Sequence, residues 1–228
     1  MTMRASWDRA AADWIRWARA EDQDHFFWRM NLPALLALLP APGRCTVDVG
    51  CGEGRLAREL MRRGHRVVGV EGSPALAQAA RDADPSFEVH VADAAAMPLG
   101  DGSADLAVAS MSLLNMDDLA GVVREVARVL EPGGRFAFSV PHPAASAKAG
   151  GYFEVHAYEE TRERGGHRMT FHDTHRPLTA YFGALEDAGL LVEALREPVP
   201  DEAHVAAHPD AGRWRTRPVS LVVRAMKP

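Results

Sequence analysis

Three glycines and four carboxylates are the groups most clearly placed for chemistry. The run VDVGCGEGRL, Val47 to Leu56, carries apolar residues into Gly50, Gly52 and Gly54 and then into a helical pattern. Glycines in such a turn let a ligand lie against bare backbone. The spacing is G-x-G-x-G. A dinucleotide-binding turn reads G-x-G-x-x-G, and the position of its third glycine is held here by Arg55. Glu53 adds a carboxylate at the start of the helix, where a pyrophosphate needs positive potential. A phosphate-bearing dinucleotide and a cofactor without phosphate are the two readings to separate.

The remaining acids weigh on that choice. Asp48 lies two residues before Gly50, inside an apolar run, where an unpartnered carboxylate is costly. Glu71 ends the next apolar run, 21 residues after Gly50, and can accept from both hydroxyls of a ribose. Asp93 follows the third run by two residues and can accept from an adenine amino group. Three acids at the C-terminal ends of neighbouring strands repel a pyrophosphate. They attract a ligand that carries sulfonium and ammonium charges.

Positioning these groups requires a particular set of elements. Short apolar runs at Cys45–Gly50, Arg66–Glu71, Phe87–Val91, Asp105–Ser110 and Arg135–Val140 read as buried strands. Helical patterns alternate with them: Glu53–Arg63, stopped by Gly64; a helix capped by Ser73 with Pro74 first; and Leu119–Leu130, closed by Glu131–Pro132–Gly133–Gly134. Strand–helix alternation with short connections implies a parallel sheet covered on both faces. Ahead of it, Ser6 to Gln23 reads as a helix with Ser6 as cap and Trp7, Ala11, Trp14 and Ala18 on one face. A second helix runs from Phe26 to Leu39.

The rhythm breaks after Val140. Two glycine pairs, Gly150–Gly151 and Gly165–Gly166, bracket an alternating stretch around Tyr152, Glu154, His156 and Tyr158, with Arg168–His172 as its partner strand. Tyr152 and Tyr158 read as packing residues of this arm. A helix after Pro177 and two strands, Leu190–Glu197 and Arg217–Met226, flank a polar, proline-bearing loop.

In this order and spacing, Cys45 to Val140 resembles the class I methyltransferases that depend on S-adenosylmethionine. VDVGCGEG is similar to the family's glycine motif and VVGVEGS to its ribose-binding strand end. VADAAAMPLGDGSADLAVASMSL is similar to the adenine-side motif with the fourth strand, and EVARVLEPGGRFAFSV to the segment that follows. The resemblance implies an α/β fold: a Rossmann-like doubly wound seven-stranded sheet, mostly parallel with one antiparallel strand, helices on both faces. Residues 1–228 would form one methyltransferase domain, with a helical cap over 1–43 and an inserted arm over 143–176 contributing to the substrate site. Gly50, Cys51, Gly52 and Gly54 would seat the methionine part and Asp48 its ammonium. Glu71, Gly72 and Ser73 would hold the ribose, Asp93 and Ala94 the adenine. Ser110 and Met111 would line the pocket beneath the sulfonium, and Trp14 or Arg29 would reach the cofactor from the cap.

Methyl transfer is an in-line displacement at an activated carbon, so holding the acceptor in line supplies much of the catalysis and a general base is optional. His142, just after the fifth strand in VPHP, is the candidate base. His172 and His175 in FHDTHRPL read as solvated or capping residues, and no metal site is expected. After the fourth strand the chain reads SMSLLN, Ser110 to Asn115, without the Asn/Asp-Pro-Pro-aromatic run of methyltransferases that act on adenine or amide nitrogen. The formal net charge of −5 also gives no general field for nucleic acid. The expected partner is therefore a small-molecule methyl acceptor, with neither nucleic acid nor membrane, for a cytoplasmic monomer or homodimer. Lys148 and Lys227 are the only lysines, which limits lysine catalysis, and Cys45 and Cys51 suggest no disulfide framework. A nicotinamide-dependent oxidoreductase and a non-catalytic S-adenosylmethionine-binding module remain the alternative readings.

Overall fold

The computed structural model describes residues 2–20, 24–147 and 151–228. Lys148, Gly150 and the Glu21–Gln23 end of the first expected helix lie outside them. Among the described residues there are nine strands: β1 Thr46–Val49, β2 Val67–Glu71, β3 Glu88–Val91, β4 Ala104–Ser110, β5 Leu130–Pro141, β6 His156–Arg164, β7 His167–His175, β8 Leu191–Arg196 and β9 Ser220–Met226. Seven form one sheet in the order β3-β2-β1-β4-β5-β9-β8. β1 to β5 are parallel, and β9 runs antiparallel to both β5 and β8. The strand order reverses between β1 and β4, and the crevice beyond their C-terminal ends is where such sheets take ligands.

The strands are apolar runs because each face of the sheet is covered. Val47, Val49, Val70, Ala107 and Ala109 point to one side, where α5 (Leu119–Val129) and α7 (Leu178–Asp187) pack through Val122, Val126 and Leu185. Leu106, Val108, Ala137 and Val222 point to the other, against α3 (Arg55–Arg62) and α4 (Pro74–Ala83) through Leu56, Leu60, Ala77 and Ala80. The alternation along β4 follows from the pleat.

Local chemistry sets the departures from the expected elements. Helix α1 spans Met3–Arg19, and its cap is Thr2, whose hydroxyl accepts from the Ala5 N–H. Ser6 therefore lies inside the helix. The second helix carries a π turn, Phe27–Asn31, before α2 (Leu32–Leu36). Pro33 has no N–H to give the Arg29 carbonyl, and the Leu32 N–H bonds to the Phe27 carbonyl five residues back. The arm hairpin is longer than expected and shifted along the chain. Gly165 and Gly166, both with positive φ, make a two-residue turn, and this fixes the pairing from Arg164↔His167 back to His156↔His175. Two short helices complete the set: α6 (Pro143–Ser146) after β5, and α8 (Glu202–Ala207), which with a 3-10 turn at Pro209–Arg215 occupies the loop expected to be irregular. Among the described residues no helix is long and apolar enough to cross a membrane.

Candidate functional site

A cavity of about 380 Å³ opens at the C-terminal ends of β1, β2 and β4. Its floor is the glycine turn. Gly50, Gly52 and Gly54 all have positive φ (71°, 58° and 83°), which bends the chain back under the crevice. A Cβ at Gly50 would stand 2.7 Å from the Ser112 Cβ, so the turn fits only without one. The N–H groups of Gly50 and Cys51 bond to the Val70 carbonyl, and the Ser112 hydroxyl donates to Val49. Met111, just past β4, is the one non-glycine residue with positive φ among the described residues, and it too lines the cavity.

Two acids dominate the floor. Asp48 is 1% exposed, and its Oδ2 has no hydrogen-bond partner. Burial, with the charge of Glu71 nearby, pushes its pKa up to about 7. A carboxyl left this way is costly unless a cation arrives to pair with it. Glu71 is held by backbone: Oε2 accepts from the Gly52 N–H and Oε1 from the Ser73 N–H, each at 2.8 Å. These bonds hold its pKa down in part, but burial prevails and raises it. Each carboxylate oxygen keeps a second acceptor site.

Ten of the expected cofactor residues line this cavity: Asp48, Gly50, Cys51, Gly52, Glu71, Gly72, Asp93, Ala94, Ser110 and Met111. Gly54 and Ser73 do not line it; each supports the wall from behind. Gly54 caps α3, and Ser73 caps α4 while donating to Asp8 of α1. Trp14 is on the wall, with its indole Nε1 3.4 Å from where a Cβ of Gly52 would be, whereas Arg29 does not reach it. His142 does not line the cavity either. Its Nδ1 accepts from the Ala144 N–H as the cap of α6, and its Nε2 stands 3.0 Å from Glu197. Burial lowers its pKa. His175 is spent between Ser146 and the Tyr152 carbonyl, and His172 faces Glu159.

Glu53 does not act as a free charge in the turn. It is fully buried and is neutralised by Arg58 at 2.8 Å and Arg19 at 2.9 Å, so it ties α1 to the glycine turn. Arg55 spans the cavity wall, paired with Asp24 at 2.6 Å and lying 3.6 Å from the Phe27 ring centre and 4.7 Å from that of Trp14.

The roof comes from the arm, through side chains that the sequence did not single out for the site; Tyr158 was expected only to pack. Tyr158, Glu160, Arg162 and Arg164 alternate along β6, and Phe171 and Asp173 on β7 share their face. Phe171 meets Trp14 and Trp17 edge to face, and the Trp7 indole donates to the His172 carbonyl, so the hairpin rests on α1. Arg213 and Trp214 close one side. Trp214 is held by His25, which stacks between it and His208. No spacing rule brings these side chains together; only the pairing of β6 with β7 and the docking of the hairpin do.

Residues 47–138 match the family model described as a methyltransferase domain. An uncharacterized methyltransferase of Mycobacterium bovis is 41% identical over 98 residues, 43% of this chain and 40% of that protein. A ubiquinone/menaquinone biosynthesis C-methyltransferase of Caulobacter vibrioides is 32% identical over 141 residues, 55% of each chain. The chain thus spans about half the length or less of these curated relatives. The solved structure of an S-adenosylmethionine-dependent methyltransferase from Mesorhizobium loti is 29% identical with a TM-score of 0.70, covering 86% of this chain and 96% of that one.

Proposed function

We propose that the chain, whose residues 47–138 match a methyltransferase domain, is a class I S-adenosylmethionine-dependent methyltransferase whose cavity transfers the cofactor's methyl group to a small-molecule acceptor. The observation that carries this reading is Asp48: a buried, unpartnered carboxyl beside a glycine turn, in reach of a ligand's ammonium group. When bound, the cofactor supplies an activated methyl carbon on a positively charged sulfur. The chain's own residues do the rest. Gly50 and Gly52 leave backbone bare for the methionine part. Glu71, already oriented by two backbone N–H groups, accepts from ribose hydroxyls. Asp93, whose Oδ1 accepts from the Ala95 N–H, meets the adenine from the cavity wall beside buried Ala94. Helix α1 and the hairpin exclude water from the upper half, where the acceptor is held in line.

The cavity volume lies in the range of small-molecule sites. The Caulobacter relative, named for quinone biosynthesis, supports the same class. His142, with both ring nitrogens engaged, is not assigned the part of base. A crystal structure with S-adenosylhomocysteine tests the assignment. Its amino group should lie against Asp48, its ribose against Glu71 and its adenine beside Asp93. A ligand in the reverse orientation would overturn these roles.

A further inference from the structure

We propose that the acceptor is a planar ring compound with an acidic hydroxyl, and that Asp173 is the catalytic residue that takes its proton, held in place by Asn115 and Tyr158. This rests on the methyltransferase reading above. The upper half of the cavity is walled by flat side chains: Phe171 from the hairpin, Trp14 from α1, Phe26, and Trp214, which meets Phe26 edge to face with ring centres 5.5 Å apart. Such walls select a flat, apolar body. The acids of this half are otherwise committed. Asp24 is paired with Arg55, Glu160 with Arg162, and Asp118 caps α5.

Asp173 differs. It is 9% exposed, it lines the cavity, and no cation forms an ion pair with it among the described residues. Its partners are neutral donors. Asn115 Nδ2 donates to Oδ1 at 2.9 Å, and Asn115 is itself anchored on the His172 carbonyl at 2.8 Å. Tyr158 stands directly across the ladder and donates toward the same carboxyl. Asn115 ends the turn that follows β4, so it links the carboxyl to the Ser110–Met111 wall. Burial raises the Asp173 pKa, which strengthens it as a base. The groups that face it are Tyr158, Glu160 and Arg162 from β6 and Tyr181 from α7; Arg162 and the two donors oppose the rise without cancelling it.

The step balances. The acceptor's hydroxyl oxygen forms a bond to the methyl carbon as the carbon–sulfur bond breaks and its electron pair stays on sulfur. The hydroxyl proton passes to the Asp173 carboxylate, which returns it to solvent after the methyl ether leaves.

The test uses catechol, 1-naphthol and 4-hydroxybenzoate as acceptor probes with S-adenosylmethionine, reading S-adenosylhomocysteine release and the methylated product from pH 5 to 9. The wild-type protein is expected to methylate at least one probe. Asp173→Asn should lower kcat by roughly 100-fold or more, the scale of a lost general base. It should leave S-adenosylhomocysteine affinity unchanged and abolish the acid limb of the pH profile. Tyr158→Phe, which removes a donor to the carboxylate, should lower kcat less than Asp173→Asn does and move that limb to higher pH. Unchanged turnover in Asp173→Asn would overturn the assignment. Failure to methylate any probe while S-adenosylhomocysteine still binds would overturn the acceptor class and leave the cofactor reading standing. Absence of S-adenosylhomocysteine binding would instead remove the premise.

Discussion

Replacing Glu71 with glutamine separates the cofactor role of that residue from its role in the turn. In the native site two backbone donors, Gly52 N–H and Ser73 N–H, each meet one carboxylate oxygen at 2.8 Å. Glutamine keeps the shape but offers one oxygen, so one donor faces an NH₂ group. A buried donor left unsatisfied costs about 1–3 kcal/mol of fold stability. The binding effect is distinct. A hydrogen bond from a ligand hydroxyl to a charged carboxylate contributes about 1.5–3 kcal/mol. At about 1.4 kcal/mol per tenfold, its loss weakens S-adenosylhomocysteine by about 10- to 100-fold. Calorimetry with S-adenosylhomocysteine and with adenosine reads this directly, because adenosine keeps the ribose and lacks the amino acid. Glu71→Gln should weaken both ligands by the same factor, whereas Asp48→Asn should weaken only S-adenosylhomocysteine. A folded Glu71→Gln protein with native affinity for both would refute the ribose assignment.

Asp48 carries a pH signature. Its folded pKa, raised to about 7, lies above the unfolded value, so from this group the ligand-free protein loses stability as pH rises from about 4 to 7. An ammonium placed beside it favours the ionised form, so S-adenosylhomocysteine binding at pH 6 should release a proton and binding at pH 8.5 should not. Calorimetry in buffers of different ionisation enthalpy counts the proton, and a count of zero at pH 6 would contradict the pairing. Gly50→Ala must place a Cβ 2.7 Å from Ser112 and 2.8 Å from Met116 at a φ of 71°. Left-handed backbone alone costs a non-glycine residue about 1–2 kcal/mol, so a Tm fall of several degrees with more than tenfold weaker cofactor binding is expected in thermal melts and titrations. His25, held near 4 chiefly by burial, is neutral at pH 7. Its folded pKa lies below the unfolded one, so its contribution is complete above about 6.5 and is lost as pH falls toward 4. Hydrogen exchange in α8 and the 3-10 turn that carries Trp214 should quicken at pH 5 beyond the intrinsic rate change; equal protection at pH 5 and 7.5 would show that the histidine stack does not hold this wall.

The residues of the cavity floor were legible because their determinants are local. Gly50, Gly52 and Gly54 are required by backbone shape, and Asp48, Glu71 and Asp93 sit at strand ends that apolar runs mark out. Even there, one inference fails. Glu53 was read as a charge that repels phosphate, yet Arg19, from a helix over thirty residues away in sequence, neutralises it together with Arg58. The arm was expected beside the cavity, but the side chains it presents there were not legible. Asp173 and Tyr158 are 15 residues apart and meet only through the register that Gly165–Gly166 imposes. Trp214 is held at the cavity by the His25 ring stacked on it, and nothing in its own stretch announces that contact. His142 drew notice by its place after a strand, but both of its nitrogens were needed locally, for α6 and for Glu197.

The central claim is that the crevice takes S-adenosylmethionine rather than a phosphate-bearing dinucleotide. A calorimetric titration of the purified protein with S-adenosylhomocysteine and, separately, with NAD tests it most directly. One site per chain is expected for S-adenosylhomocysteine, with no heat from NAD at the same concentrations. Saturable NAD binding with no response to S-adenosylhomocysteine would contradict it.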